Sequence, residues 1–261
     1  MNSFLLEPRP LRASGFTLVE MAMVLLIVAL LLSGLVPTIT NQMEQQRSNE
    51  ARKQLDEIQQ ALLGFAVING RLPCPAILSS SGVESPSGGG NCTNFYNGYV
   101  PAATLGITTV NNQGLAIDPW GNPIRYAVTA WSKTTTPTVN NVYTSTNGMS
   151  SVGISNLNPN LMVCSTATGI SSSACGSAND KLTAGDGVPV VLYSTGKNGS
   201  TGGTGTDEAA NPNVNSSNND RVFVSHTPTP STASNGEFDD IVIWVSNPLL
   251  LNRMISAGKL P

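Results

Sequence analysis

The stretch GFTLVEMAMVLLIVAL, Gly15 to Leu30, places one carboxylate, Glu20, among apolar residues. The apolar run extends over 21 residues, from Phe16 to Val36. As a helix rising about 1.5 Å per residue it spans about 31 Å, close to the hydrocarbon thickness of a bilayer. The part after Glu20 alone would reach only about 24 Å. We therefore expect residues 16–36 to form one membrane-spanning helix that includes the carboxylate.

A polar leader, residues 1–15, precedes the apolar run and carries Arg9 and Arg12. Basic residues favour the cytoplasmic end of a membrane helix, although three more lie between positions 47 and 53. No convincing small-x-small cleavage site follows the run, so the helix is expected to stay attached rather than act as a secretory signal. The composition of the remaining chain favours its export.

That composition is poor in charge and rich in small polar residues. Charged residues make up 11% of the chain, aromatic residues 5%, and the net charge is -3. Gly, Asn, Ser and Thr crowd positions 79–236, which is typical of a loop-rich extracellular β domain. Because Lys and Arg are scattered rather than clustered, we do not expect nucleic acid as a partner.

The four cysteines fit an oxidising compartment. Three pairings are possible, and we favour Cys74 with Cys92 and Cys164 with Cys175, because each pair closes a short local loop. Buried free thiols remain the alternative. Metal ligation is less favoured, since the sequence contains no C-x-x-C spacing.

Beyond Pro37 the pattern stays helical but becomes amphipathic, over residues 37–70. We expect Pro37 to kink this helix, Asn69-Gly70 to end it, and its upper half to pack on the exported domain. The apolar stripe consists of Ile39, Met43, Ala51, Leu55, Ile58, Leu62 and Phe65.

Residues 71–261 read as a globular β-rich domain with long loops. Five runs rich in β-branched and aromatic residues predict an antiparallel sheet, at 124–129, 161–165, 188–195, 221–226 and 240–246. The fold class is therefore α+β, a long N-terminal helix packed on this sheet.

The C-terminus predicts a short helix. Asn247 is the expected cap, Pro248 the first helical residue, and Gly258 lies beyond the last turn. The side chains expected to face inward are those of Leu250, Leu251, Met254 and Ile255.

The short Arg-bearing leader, Gly15, the following FTLVE and the long apolar run together resemble the N-terminal signature of type IV pilins and type II secretion pseudopilins. The stretch DPWGNPIRYAV, 118–128, is similar to the Asp-x-Trp-Gly-Asn-Pro stretch that opens the sheet in major pseudopilins. Apart from the resemblance, the residue types of this stretch predict a turn, with the Trp120 side chain packed in the core. LYSTGKNG, a polar loop and FDDIVIWVS resemble the strand, glycine-rich loop and acidic pair before the last pseudopilin strand. The chain is longer than a major pseudopilin.

The resemblance implies that prepilin peptidase cuts between Gly15 and Phe16 and methylates the new N-terminus at Phe16. Glu20 then lies four residues after the new amine, on the same face of a helix. In the family this carboxylate receives the amine of a neighbouring subunit during assembly. An unpaired carboxylate in a membrane is energetically costly, so an ion pair with the amine would stabilise Glu20 there.

The implied function is structural, that of a pilin-like subunit of a type II secretion pseudopilus or type IV pilus. Its implied partners are other pilin or pseudopilin subunits, an inner-membrane assembly platform and the lipid membrane. The N-terminus would be cytoplasmic and the C-terminal domain periplasmic, in the bacterial inner membrane and then in a filament. The alternative is a tip-located binding pilin for adhesion, substrate selection or DNA uptake.

Acidic residues near the end of the chain are candidate calcium ligands. Related pseudopilins bind calcium in the loop before the last strand, and calcium prefers carboxylate and carbonyl oxygens. No EF-hand spacing is present, so a solvated acidic loop is the alternative. The candidate ligands are Asp207, Glu208, Asp220, Asp239 and Asp240.

An enzymatic function is not expected. His226 is the single histidine, and the sequence around it offers no positioned nucleophile. The run GSTGGTGT lacks the Lys-Ser/Thr of a phosphate-binding loop. We therefore predict no catalytic residues and no cofactor other than calcium.

Overall fold

The structure is a computed structural model that describes residues 15–185, 187–201, 203, 205–211 and 220–260. Most of the predicted leader, residues 1–14, lies outside this range. The chain divides into two compact units, Met1–Gln46 and Arg47–Pro261. In order, the α-helices and β-strands are α1 Leu18–Asn69, β1 Gly98–Tyr99, α2 Ala102–Leu105, β2 Arg125–Val128, α3 Gly148–Val152, β3 Met162–Cys164, β4 Val190–Ser194, β5 Val222–Val224, β6 Ile241–Val245 and α4 Asn247–Ser256.

The first unit consists, in its described part, of the N-terminal portion of α1 and the residues before it. Its large apolar side chains are exposed, for example Phe16 at 83% and Leu31 at 62%. The backbone is helical at position 37, where Pro37 was expected to bend the chain, but the side chain there lies outside the described part. Among the described residues, no helix is both long enough and apolar enough to cross a membrane.

The second unit begins with the amphipathic part of α1. Here the predicted apolar stripe is buried at Ala51, Leu55, Ile58 and Leu62 and half-buried at Phe65. The first two residues of the stripe, Ile39 and Met43, lie in the first unit and are exposed. Gly70, directly after the helix, has a φ of +68°. This left-handed conformation suits glycine and ends α1 at Asn69, the predicted boundary.

The main sheet is antiparallel and four-stranded, in the order β1-β2-β4-β6. Three of the five predicted strands, β2, β4 and β6, belong to it, with Tyr126 opposite Leu192 and Leu192 opposite Ile243. Its edge strand β1 was not predicted, because two residues carry no periodicity.

The other two predicted strands form a separate pair. β3 and β5 pair in parallel, with Val163 opposite Phe223, so their expected place in the antiparallel sheet is wrong. Each strand has three residues and both are almost wholly buried. Short buried runs do not encode strand direction, which depends here on how the intervening loops return.

The C-terminal helix α4 forms where expected, with a different cap. Ser246 Oγ accepts from the Leu249 amide at 3.4 Å. Asn247 is not the cap, because its side chain instead accepts from Tyr143 Oη at 3.2 Å. Leu250 and Met254 are buried and Leu251 is half-buried, whereas Ile255 is exposed, contrary to the prediction.

Both predicted disulfides are present. Cys74 bonds to Cys92 and Cys164 to Cys175, with Cα–Cα distances of 5.3 and 5.6 Å. Among the described residues there are no free cysteines, so the alternative of free thiols is wrong.

A buried ion pair connects the end of α1 to the first disulfide loop. Arg71 Nη1 and Nη2 donate to the two carboxylate oxygens of Glu84 at 2.8 and 2.6 Å. Glu84 also accepts from the Cys74 amide at 3.0 Å and the Gly88 amide at 3.2 Å. Burial acts to raise the pKa of Glu84, but Arg71 and the Cys74 amide outweigh it and hold that pKa below its usual value.

Glu84→Ala should destabilise the fold strongly, since it leaves the Arg71 guanidinium buried and without its anion. We expect a loss of about 3–5 kcal/mol, measured by chemical denaturation. Glu57→Ala is the matched control, because its ion pair with Lys53 is exposed. That variant should lose less than about 1 kcal/mol. Equal losses in the two variants would show that the buried pair has no special role.

Candidate metal centre

The DPWGNP stretch folds as a turn built around Asp118. Its carboxylate accepts from the amides of Trp120 at 3.0 Å and Asn122 at 2.8 Å, and from Ser194 Oγ at 2.6 Å. Burial raises the pKa of Asp118 despite these bonds. Trp120 is half-buried and packs against the core, as expected of an anchor. The Ser194 bond joins this turn to the end of β4.

The loop after β4 is fastened to the same turn. Asn122 Nδ2 donates to the Gly196 carbonyl at 2.6 Å. Gly196 has a φ of +62°, and a Cβ there would lie 2.1 Å from Asp239 Oδ1. Only glycine therefore lets the loop approach Asp239, whose Oδ2 accepts from the Lys197 amide at 3.0 Å.

Three carboxylates converge beside this loop. Oxygen atoms of Glu208, Asp239 and Asp240 lie within 4.8 Å of one another. Glu208 opens a short 3₁₀ turn, Glu208–Ala210, and the two aspartates directly precede β6. Glu208 is only 2% exposed and Asp240 only 5%. We call these three residues the acidic cluster.

The protein satisfies the acidic cluster only in part. Asn198 Nδ2 donates to Glu208 at 3.0 Å, and Asn211 Nδ2 donates to Asp240 Oδ2 at 2.7 Å. Among the residues that the structure describes, Asp239 Oδ1 and Asp240 Oδ1 are buried and have no hydrogen-bond partner. Buried carboxylate oxygens without donors are costly, so the cluster suits a proton or a cation at this point.

The electrostatics of the acidic cluster agree with its geometry. Burial, together with the neighbouring Glu208, raises the pKa of Asp239 to about 7. Burial also raises the pKa of Asp240 well above its usual value, and the charges of Glu208 and Asp239 add to the shift. Without a cation, Asp239 and Asp240 therefore retain protons at a pH where exposed carboxylates have lost them.

The acidic cluster contains three of the five predicted ligands. Asp207 is not one of them: its Oδ2 accepts from Asn235 Nδ2 at 2.8 Å and lies 3.4 Å from His226 Nε2. Burial acts to raise its pKa, but hydrogen bonds from Ala167, Asn235 and Thr166 outweigh it and lower the pKa. Asp220 accepts from the Val222 amide at 3.1 Å, at the start of β5.

The residue that sequence reasoning missed is Asn211. It is completely buried, and its amide holds Asp240 while its Oδ1 accepts from the Val224 amide at 2.7 Å. Its carbonyl accepts from Tyr193 Oη at 2.6 Å. Asn211 lies in a loop rich in asparagine, and nothing in the sequence distinguishes it from the others.

His226 lies near the acidic cluster but outside it. Its ring stacks on Phe238, with centroids 3.9 Å apart, and its Nδ1 lies 2.7 Å from the Thr227 carbonyl. Its contacts are those of a packed loop residue.

The predicted processing residues lie at the start of the described chain. Gly15 and Phe16 are both exposed and precede α1. Thr17 and Glu20 form a capping box: the carboxylate accepts from Thr17 N and Oγ1, each at 2.9 Å, and Thr17 Oγ1 accepts from the Glu20 amide at 3.2 Å. The resemblance implies an assembly role for Glu20, and in the structure its hydrogen bonds with Thr17 cap the start of the helix.

Comparison with known proteins finds a distant relative. The type II secretion system core protein G of Pseudomonas aeruginosa is 28% identical over 114 residues, which are 43% of this chain and 72% of that protein. No family model matches the chain. No solved structure matches it either. The chain is thus distantly similar to a secretion-system pseudopilin.

Asp239→Asn should change how stability depends on pH. A raised pKa in the folded state means that the stability contribution of the wild-type carboxyl is complete below its unfolded pKa, near 3.8, and is lost as pH rises through about 7. With solvent screening considered, the loss is about 1–2 kcal/mol, or about 2–8 °C in Tm.

Thermal melts between pH 5 and 8 in a chelator measure this loss. The Tm of the wild type should fall more steeply over that range than the Tm of Asp239→Asn. Asp180→Asn, whose carboxylate is bonded to an exposed serine, is the control and should follow the wild type. Parallel curves for all three proteins would contradict the prediction.

Proposed function

We propose that the chain is a pilin-like structural subunit, cut by prepilin peptidase between Gly15 and Phe16 and assembled into a filament, that of a type II secretion pseudopilus or a type IV pilus. The observation that carries this proposal is the exposed apolar start of α1. Similarity to core protein G favours a secretion filament.

The apolar side chains at the start of α1 are exposed in the described part of the chain, so the proposal must say what covers them. They include Phe16, Leu18, Val19, Met21, Met23, Val24, Leu25, Leu26, Ile27, Val28, Leu30 and Leu31, each more than 40% exposed. Exposed apolar surface costs about 25 cal/mol per Å² in water. In the proposal the bacterial inner membrane covers this surface first, with the C-terminal domain in the periplasm, and neighbouring subunits cover it in the filament.

The capping box suggests how Glu20 serves assembly. It holds the carboxylate at the N-terminal end of α1, through two bonds from Thr17. Cleavage after Gly15 would leave Thr17 as the second residue and place a charged amine on methylated Phe16. In the proposal the carboxylate, already oriented toward the helix end, receives the amine of an adjoining subunit.

We also propose that the acidic cluster binds calcium. The fit rests on two buried oxygens, Asp239 Oδ1 and Asp240 Oδ1, that have no hydrogen-bond partner in the described part of the chain, and on an all-oxygen ligand set with Glu208. A divalent cation would neutralise the like charges that otherwise repel. It would hold the loop after β4 and the segment before β6 together, giving the subunit a defined surface for assembly.

Calcium should raise the thermal stability of the full-length chain in detergent micelles. If 1 mM calcium is about 100 times Kd, the gain is about 2.7 kcal/mol, or about 5–10 °C in Tm. Asp240→Asn should lose this gain, since it removes one charged ligand. Asp180→Asn should retain it, because Asp180 lies outside the acidic cluster. No shift in the wild type relative to chelator would refute the site.

Loss of Glu20 should block assembly and spare processing. Glu20→Gln preserves an acceptor for Thr17 but removes the charge, so it separates capping from pairing with an amine. Both Glu20→Ala and Glu20→Gln should lower filament incorporation at least about tenfold, corresponding to about 1.4 kcal/mol. Crosslinking in cells measures incorporation, and the shift in mass on cleavage measures processing.

Glu50→Ala is the control for this experiment, because Glu50 is an exposed carboxylate on the same helix. It should assemble normally. Normal incorporation of Glu20→Gln would show that the charge of Glu20 has no part in assembly.

A further inference from the structure

A polar cleft lies away from the acidic cluster, between two loops of the second unit. Its volume is about 390 Å³, within the range of small-ligand sites. One wall is the segment 131–135 and the other is the segment 155–158. We call it the Trp131 cleft, and its lining is Trp131, Lys133, Thr135, Ser155, Asn156, Leu157 and Asn158.

The walls of the Trp131 cleft are fixed by hydrogen bonds. Thr129 Oγ1 donates to Asn160 Oδ1 at 2.7 Å and accepts from the Asn160 amide at 3.0 Å, joining the two segments near their bases. The first wall is also part of a narrow backbone ladder, in which Lys133 and Val139 exchange bonds of 2.9 and 3.0 Å. A site held in this way needs little ordering when a ligand binds.

The lining chemistry selects among ligand classes. Hydroxyl and amide groups of Thr135, Ser155, Asn156 and Asn158 dominate it, which does not suit an apolar ligand. A single cation, Lys133, is too little charge for a nucleic acid. The lining contains no carboxylate, so it offers neither a metal site nor the acid pair that cleaves sugars.

Trp131 and Lys133 narrow the choice of ligand further. Trp131 is half-buried, packs against the core and contributes to the lining of the cleft, so the core holds this aromatic side chain in place. Lys133 has no carboxylate partner among the ion pairs of the described residues. An aromatic platform, several amides and hydroxyls, and one available cation match a sugar ring that carries an acidic group.

We propose that the Trp131 cleft binds a short acidic saccharide. The indole supports the apolar face of one ring, the asparagine and serine side chains bond to its hydroxyls, and Lys133 pairs with a carboxylate. This binding function is separate from filament assembly and from calcium. It would suit a subunit placed where the filament meets secreted or surface polysaccharide.

Titration calorimetry on the full-length chain tests the proposal, in micelles of a zwitterionic detergent without sugar groups. The probes are trigalacturonate, which is acidic, and maltotriose, which is neutral. Trigalacturonate should bind saturably at millimolar concentration and more tightly than maltotriose. Trp131→Ala should weaken it at least about tenfold, as removal of a central aromatic anchor does.

Lys133→Gln should weaken trigalacturonate about two- to fivefold, the range for an exposed ion pair, and leave maltotriose unchanged. Lys259→Gln is the charge-matched control, because Lys259 is exposed and outside the cleft, and should behave as the wild type. If Trp131→Ala fails to fold, Asn158→Ala changes an exposed lining residue instead and should also weaken binding.

Three results would overturn the proposal. The first is no saturable binding of trigalacturonate at millimolar concentration. The second is unchanged affinity in Trp131→Ala or, where that variant does not fold, in Asn158→Ala. The third is equal affinity for maltotriose, which would remove the acidic preference.

Discussion

The mutual repulsion and burial of three carboxylates is the constraint around which the loops of the second unit are arranged. Glu208, Asp239 and Asp240 come from two chain segments that are far apart in sequence and meet beside the start of β6. Burial and the neighbouring carboxylates disfavour the ionised forms of Asp239 and Asp240 and raise the pKa of each. Asn198 and Asn211 donate to some of their oxygens, and two oxygens have no donor among the described residues. Such an arrangement favours protonation at low pH, and in the proposal a cation takes the place of the protons at higher pH.

The DPWGNP turn and the loop after β4 together bring backbone close to these carboxylates. Asp118 orders its own turn and bonds to Ser194, Asn122 reaches the Gly196 carbonyl, and Gly196 then lies against Asp239. The DPWGNP turn, the glycine-rich loop and the acidic pair were three separate motifs in the sequence. In the fold the three motifs are in contact. The DPWGNP turn holds the glycine-rich loop, and that loop lies against Asp239 of the acidic pair.

The features predicted correctly from the sequence depend on residues that are close together along the chain. Gly70 ended α1 by its conformation, and each disulfide joined the nearest cysteines. The approximate bounds of five strands followed from β-branched runs. The direction of β3 and β5 did not, because it depends on the path of the loops between them. For the same reason the sequence did not show that Asn211, rather than Asp207 or Asp220, accompanies the acidic cluster.

A crystal structure of the chain grown with calcium above pH 7 tests the proposed calcium site most directly. We expect one ion bonded to oxygens of Glu208, Asp239 and Asp240, including the two that have no hydrogen-bond partner. A structure at the same pH and calcium concentration in which these carboxylates contact only protein and water would contradict it.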